Sequence, residues 1–201
     1  MAWNIEIIAS MEILRKVYFF ALDMMQTILL AASIFLVIYI FLFRPFQVSG
    51  DSMYPNFKDQ EYILTDLITL RFSPLKRGDV IVFKAPPDHE KDFIKRIIGL
   101  PGDTVELENG FVYLNGKKLD ESPYLASSVR TYGGSFLKDD IPITVPQDDY
   151  LTFGDNRPYS SDSREWGYVP FDFVIGKAMF VYWPISEMKI VKNPFGGAIP
   201  N

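Results

Sequence analysis

The sequence predicts a mainly β domain carried on one N-terminal transmembrane helix, and three observations lead there. Residues 24–43 form an uncharged apolar run of about twenty residues, the length that spans a hydrocarbon core of about 30 Å. The rest of the chain is rich in turn formers and aromatic residues, with 14 Pro and 13 Gly in the whole sequence and 15% aromatic content. No segment after Phe46 carries a helical period of useful length, whereas short apolar runs recur between turn signals.

The anchor is read first. A core helix is amphipathic, but 24–43 is apolar on every face. It is too long for the apolar region of a cleaved signal, although Val48-Ser49-Gly50 has a cleavage-like spacing, so the expectation is a permanent single span. Within residues 1–23, Ile7, Ile8, Met11, Leu14 and Tyr18 recur at helical spacing with Glu6, Glu12 and Arg15 between them. That segment reads either as an amphipathic helix along the cytoplasmic face or as an extension of the anchor helix. Arg15 and Lys16 before the span and Arg44 after it leave only a weak positive-inside bias.

Residues 44–193 read as the β domain. Strands are expected at 61–65, 79–84, 104–108, 111–114, 141–145, 150–153 and 177–183. Asn109-Gly110 suits a type I′ hairpin turn because both central residues need positive φ, and Asn115-Gly116 repeats the signal. Residues 115–144 read as a variable region, with a polar, mobile loop from 120 to 140, and 194–201 as a flexible tail.

Composition narrows the chemistry. At 201 residues the chain holds an anchor and one compact domain, and its net charge of −5 argues against a nucleic-acid partner. The absence of cysteine excludes thiol catalysis, disulfides and Cys-ligated metals. The single histidine, His89, lies in the charged, turn-forming run Pro86-Pro87-Asp88-His89-Glu90, which makes it a poor base for a Ser-His-Asp triad.

A serine without a histidine base needs another one, and lysine, Asp/Glu and Tyr are the candidates. Ser52 lies in Ser49-Gly50-Asp51-Ser52-Met53-Tyr54-Pro55, just past the apolar run. Lys95 lies in Phe93-Ile94-Lys95-Arg96-Ile97-Ile98-Gly99-Leu100-Pro101-Gly102-Asp103. Lysine is a base only when neutral, and bringing its pKa from about 10.4 to near 7 takes on the order of 4 kcal/mol, which burial can supply. In a strand Phe93, Lys95 and Ile97 share one face. Arg96 has equally apolar neighbours, so alternation does not choose between the two, but only lysine can lose its proton. Alone, Ser52 also reads as a turn serine and Lys95 as a snorkelling surface lysine.

These two runs resemble type I signal peptidase, the membrane-bound leader peptidase of bacteria. A third run adds to them: Gly154-Asp155-Asn156-Arg157-Pro158-Tyr159-Ser160-Ser161-Asp162-Ser163-Arg164, continuing to Trp166-Gly167. The resemblance covers about 46–183 and is weakest across 113–144. It implies Ser52 as nucleophile, Lys95 as general base and Ser160 as the hydroxyl that orients the lysine amine. It further implies Asp155, Asp162 and Arg164 as charged residues bracing the site, through an ion pair. The Ser52 backbone N–H would serve the oxyanion; the second donor position is Gly50 here, which leaves that donor uncertain. Asn56-Phe57 stands where relatives often carry Thr and Leu, with little effect expected on the chemistry. Phe46, Val48, Met53, Phe93 and Ile94 match the walls of shallow substrate pockets that accept small, Ala-like residues at the first and third positions before the cut. No cofactor or metal is implied, and the third run fails the EF-hand spacing. The implied partners are signal peptides of exported preproteins and the lipid bilayer of a bacterial plasma membrane. The implied topology is a cytoplasmic N-terminus with the catalytic domain on the extracytoplasmic face.

Overall fold

The computed structural model describes residues 2–196, and the chain divides into two units, Met1–Leu42 and Phe43–Asn201. The first unit contains one continuous helix, α1 (Ala2–Leu42). The helix runs through residue 23 without a break. The reason is visible in the sequence: no Pro or Gly interrupts residues 1–42, and the first breaker is Pro45. Among the described residues the stretch long and apolar enough to cross a membrane is Met11–Val37, which begins well before the expected 24. Its 27 residues reach about 40 Å, more than a hydrocarbon core requires, a surplus that tilt accommodates. Two hydroxyls in this apolar helix are satisfied internally, Thr27 donating to the Asp23 carbonyl and Ser33 to the Leu29 carbonyl, each at 2.8 Å.

The second unit is antiparallel β. Its elements are β1 (Phe43–Gln47), β2 (Tyr62–Asp66), α2 (Thr69–Phe72), β3 (Val80–Ala85), β4 (Asp88–Gly99), β5 (Thr104–Glu108), β6 (Phe111–Leu114) and β7 (Lys117–Lys118). There follow β8 (Ile143–Thr144), β9 (Asp149–Phe153), α3 (Ser163–Trp166), β10 (Val169–Pro170), β11 (Val174–Trp183) and β12 (Lys189–Ile190). The larger sheet runs β1-β2-β11-β3-β4-β9-β10, with β12 on β11; the smaller runs β7-β6-β5-β8. Pro45 sits on the edge strand β1, where a missing N–H costs no ladder bond. Both Asn-Gly pairs adopt the expected left-handed turn conformations, with φ of 52° and 78° at 109–110 and 51° and 77° at 115–116.

β4 is the strand that matters most for the site. Its first half is exposed and its second half, from Lys95 on, is buried between β3 and β9. Apolar side chains pack on both sides of the larger sheet. Val48, Met53, Ile63, Val82 and Val181 form one cluster; Ile81, Phe83, Ile97 and Val169 form another.

The region 115–144 differs from expectation. It is largely irregular, but it is built into the core. Leu119, Tyr124, Leu125 and Leu137 are buried against Val105, Leu107, Val112 and Leu114 of the smaller sheet. The Phe136 and Leu137 N–H groups both donate to the Arg164 carbonyl, at 2.9 and 3.0 Å. The abundance of Ser and Gly conceals a few widely spaced apolar anchors that no period reveals. The tail is also held at its start: Asn193 Nδ2 donates to the Arg77 carbonyl and to Asp79 Oδ1, both at 2.8 Å, and the Phe195 ring meets Tyr124 edge-on at 6.0 Å. Residues 197–201 lie outside the described residues.

Because Leu137 is wholly buried within an irregular segment, Leu137→Ala is expected to cost about 2–5 kcal/mol. Reversible denaturant unfolding of the full chain in detergent checks this; a loss under about 1 kcal/mol, ordinary for a surface loop, would contradict the packing.

Candidate active site

Ser52 lies in the turn that connects β1 to β2, and Lys95 on the buried half of β4. Lys95 Nζ donates to Ser52 Oγ at 2.6 Å, a contact between residues 43 apart in the chain. The amine is 4% exposed with its residue, and the Phe93 ring centroid lies 5.3 Å from Nζ. Burial pushes the Lys95 pKa down to about 8, against the opposing pull of the Asp162 and Asp155 carboxylates; Arg164 lowers it slightly further.

The neighbour of Lys95 on β4 takes the opposite role. Adjacent strand residues face opposite sides, and Arg96 reaches Asp155 with two parallel bonds, Nε to Oδ1 at 2.8 Å and Nη2 to Oδ2 at 2.6 Å. Its Nη1 donates to the Gly78 carbonyl at 2.9 Å. Arg96 and Asp155 are both buried, so this is a fully desolvated, bidentate ion pair. Asp155 also accepts from Asn56 Nδ2 at 2.8 Å. Its own N–H donates to the Met53 sulfur at 3.4 Å.

The loop after β9 is held against the Ser52 turn. The Asn156 N–H donates to the Ser52 carbonyl at 3.0 Å, and Asn156 Nδ2 donates to the Asp51 carbonyl at 2.9 Å. Gly154 is the point of closest approach: a Cβ there would lie 2.1 Å from Ser160 Oγ and 2.4 Å from the Ser52 carbonyl oxygen. Only glycine fits. The Gly154 N–H donates to Asp162 Oδ2 at 2.9 Å, and Asp162 pairs with Arg164, Nε to Oδ1 at 2.8 Å and Nη2 to Oδ2 at 2.9 Å. Arg164 Nη2 also donates to the Arg157 carbonyl at 2.7 Å.

Of the charged residues singled out in the sequence, Asp162 and Arg164 therefore pair with each other, while Asp155 pairs with Arg96. Sequence reasoning missed Arg96 as a brace because it was weighed only against Lys95 as a base. It also missed Arg157, which donates from Nε to the Gly154 carbonyl at 3.0 Å and pairs with Glu121.

Ser160 lies against Gly154, near the Ser52 backbone. Its Oγ is buried without a hydrogen-bond partner, and among the described residues no bond joins it to Lys95. The missing Cβ of Gly154 makes the space it occupies, which keeps it beside the Ser52 backbone. The Gly50 N–H is already committed, donating to Asp59 Oδ1 at 2.7 Å, and that bond is the leading cause of the lowered Asp59 pKa.

A cleft of roughly 270 Å³ opens beside Ser52 and Lys95. Phe46, Val48, Phe93 and Ile94 line it, as the resemblance implies, joined by Ile63 and Val82. Those two follow from sheet register, since Ile63 is the cross-strand partner of Phe46 and Val82 of Ile94. Met53 does not line it. That side chain is wholly buried beneath the turn, where its sulfur meets Asp155. His89 is exposed, with its ring edge-on to Phe173 at 4.8 Å. The arrangement is a serine hydroxyl in contact with a desolvated amine, at the end of an apolar cleft.

Comparison with known proteins identifies the family. The family profile described as Signal peptidase, peptidase S26 matches residues 21–183. Signal peptidase IB of Staphylococcus aureus (strain MRSA252) is 36% identical over 186 residues, covering 86% of this chain and 96% of that protein. Signal peptidase I S of Bacillus subtilis (strain 168) is 39% identical over 173 residues, covering 84% and 92%. A crystal structure of a signal peptidase I from Enterococcus faecalis V583 aligns with a TM-score of 0.44 at 32% identity, over 52% of this chain and 97% of that one. The chain belongs to the signal peptidase family, peptidase S26, and is a serine endopeptidase of the signal peptidase I type.

Proposed function

We propose that Ser52 is the nucleophile and Lys95 the neutral general base with which this signal peptidase removes signal peptides from exported preproteins. The observation that carries the proposal is the 2.6 Å contact between Lys95 Nζ and Ser52 Oγ, made by an amine whose burial brings its pKa to about 8. At that value about one amine in ten is neutral at pH 7, against well under one in a thousand for a free lysine.

The steps balance on these two groups. Ser52 Oγ attacks the scissile carbonyl carbon while its proton passes to Lys95 Nζ, giving a tetrahedral oxyanion and an ammonium. The Ser52 backbone N–H is assigned to the oxyanion; the Gly50 N–H, held by Asp59, is not a free second donor. The ammonium then gives its proton to the departing amine as the peptide C–N bond breaks, leaving an acyl ester on Ser52. Water deprotonated by Lys95 then attacks that ester; as its C–O bond to Ser52 breaks, the Lys95 ammonium returns the proton to Ser52 Oγ, which releases the signal peptide and restores the serine. Ser160, buried beside Gly154 and without another partner, is assigned to orient the amine through the cycle. Asp155, Asp162 and Arg164 are assigned to bracing.

The cleft supports specificity for small residues at the first and third positions before the cut. Phe46, Val48, Phe93 and Ile94 are bulky walls that leave shallow pockets, which an Ala side chain fills and a large one overfills. The apolar helix fits a membrane anchor. With exported preproteins as substrates, the N-terminus lies in the cytoplasm and the unit beginning at Phe43 on the extracytoplasmic face of the plasma membrane.

Cleavage of a fluorogenic peptide with Ala at both positions, in detergent, tests the dyad. Ser52→Ala and Lys95→Ala are each expected to lower kcat/KM by at least about 10³-fold with the fold retained. Wild-type kcat/KM should climb about tenfold per pH unit and level near pH 8. Full activity in either variant rejects the assignment.

The buried amine also has a stability signature. Its folded pKa lies below the unfolded value of 10.5, so the unfolded chain binds more protons between about 8 and 10.5 and stability rises with pH there. Below pH 8 the native state carries the full penalty of an ammonium in an apolar site, on the order of 3 kcal/mol. Lys95→Met should therefore be more stable than wild type at pH 7, with the gain fading as the pH approaches 10.5. A gain independent of pH would show that packing, not charge burial, is responsible.

A further inference from the structure

We infer that Glu121 and Tyr124, in the irregular segment between the β7 and β8 strands, are positioning residues that hold the Ser52 turn, the Lys95 strand and the Gly154–Ser160 loop in register. The inference rests on the Ser52/Lys95 reading and names what keeps that pair aligned.

Tyr124 is buried where the three pieces meet. Its carbonyl accepts from Asn56 Nδ2 at 2.8 Å, and Asn56 follows Ser52 by four residues within the same turn. The same amide nitrogen donates to Asp155 at 2.8 Å, so Asn56 ties the Ser52 turn to Tyr124 and to the loop after β9 together. The Tyr124 ring covers the guanidinium of Arg96, Cζ lying 4.4 Å from its centroid, and Arg96 is the residue next to Lys95. The Tyr124 hydroxyl donates to Glu121 Oε1 at 2.6 Å. Glu121 in turn pairs with both terminal nitrogens of the buried Arg157, whose Nε holds the Gly154 carbonyl at 3.0 Å.

These contacts of Glu121 and Tyr124 end on Asn56, Arg96 and Arg157, which tie to the Ser52 turn, the Lys95 strand and the Gly154 loop, and none of the three lines the cleft itself. The charge pattern agrees. Arg157 is 2% exposed and Glu121 is its carboxylate partner, so neutralising Glu121 leaves a buried cation to seek other acceptors, and the nearest backbone it holds is that of Gly154. Burial, and then the Glu121 carboxylate, push the Tyr124 phenol well above its ordinary value, so its hydroxyl remains a donor. Asn56 stands where the resemblance expects a threonine; its side-chain amide spans both acceptors at once, which a hydroxyl with a single proton does not do.

The consequence is a kcat effect with little change in KM, because the cleft walls are untouched. Loosening the three pieces also lets water reach the Lys95 amine, whose ionisation answers to burial, to Asp162 and Asp155, and to Arg164. Glu121→Gln, which keeps the shape and removes the charge, should lower kcat by about 10- to 100-fold with KM within about 2-fold. Tyr124→Phe, which removes the hydroxyl and leaves ring and carbonyl in place, should lower kcat by about 3- to 10-fold. In both, the rising limb of the kcat/KM profile should move above its wild-type position near pH 8.

The experiment measures kcat, KM and the pH profile of the full chain in detergent, per folded molecule counted by near-UV circular dichroism, with Lys95→Ala alongside. A fall in kcat with a displaced limb supports the inference. An unchanged kcat per folded molecule, or a lower kcat on an unmoved limb, overturns it and leaves these residues a structural role only. If Glu121→Gln does not fold, the Tyr124→Phe profile decides by the same criteria. Should Lys95→Ala retain wild-type activity, the dyad reading itself fails, an outcome distinct from failure of the positioning role.

Discussion

The bidentate pair between Arg96 and Asp155 is the interaction on which the site depends. Arg96, next to Lys95 on β4, is held to Asp155, and Asp155 lies in the loop that carries Ser160. Through Asn56 and the Met53 sulfur, the same carboxylate and its backbone also reach the Ser52 turn. Three segments distant in sequence thus share one reference point. Breaking such a pair on one side leaves a buried, uncompensated charge, which costs several kcal/mol.

The site sets two kinds of buried charge against each other. Arg96, Arg157 and Arg164 are each paired with a carboxylate and hydrogen-bonded to backbone carbonyls, which is how a buried guanidinium is tolerated. Among the described residues no carboxylate pairs with Lys95, and its burial is relieved by losing its proton more readily. Lysine does this and arginine does not. Burying this amine carries a standing cost in stability at neutral pH, where the ammonium sits in an apolar site.

Much of this was legible in the residues. The Asn-Gly turns follow from backbone sterics within four residues, and the membrane-length helix from an apolar run uninterrupted by Pro or Gly. Ser52 and Lys95 stood out through the runs around them and the elimination of His89 and cysteine. Other features were not legible. Alternation could not choose between Lys95 and Arg96, since both have apolar neighbours; the choice depends on what β3, β9 and the loop after β9 bring to each face. Met53 reads as a pocket wall but lies beneath the Ser52 turn. The 120–140 stretch read as solvent-facing because its composition is polar, yet Leu125 and Leu137 are core residues and Glu121 and Tyr124 reach the braces of the site.

By itself the amino-acid sequence determined the helix, the hairpins, the β character of the rest and the runs that single out Ser52 and Lys95. Each of these rests on short-range sterics, on apolar runs counted along one segment, or on a motif of adjacent residues. Tertiary structure decided which cation is desolvated and paired and which is desolvated and unpaired. It also decided that Glu121 meets Arg157, 36 residues away, and that Arg96 meets Asp155, 59 residues away. A charged side chain in a polar stretch costs nothing to leave in water. Whether it is buried, and against what, is settled only when distant segments pack and remove that water.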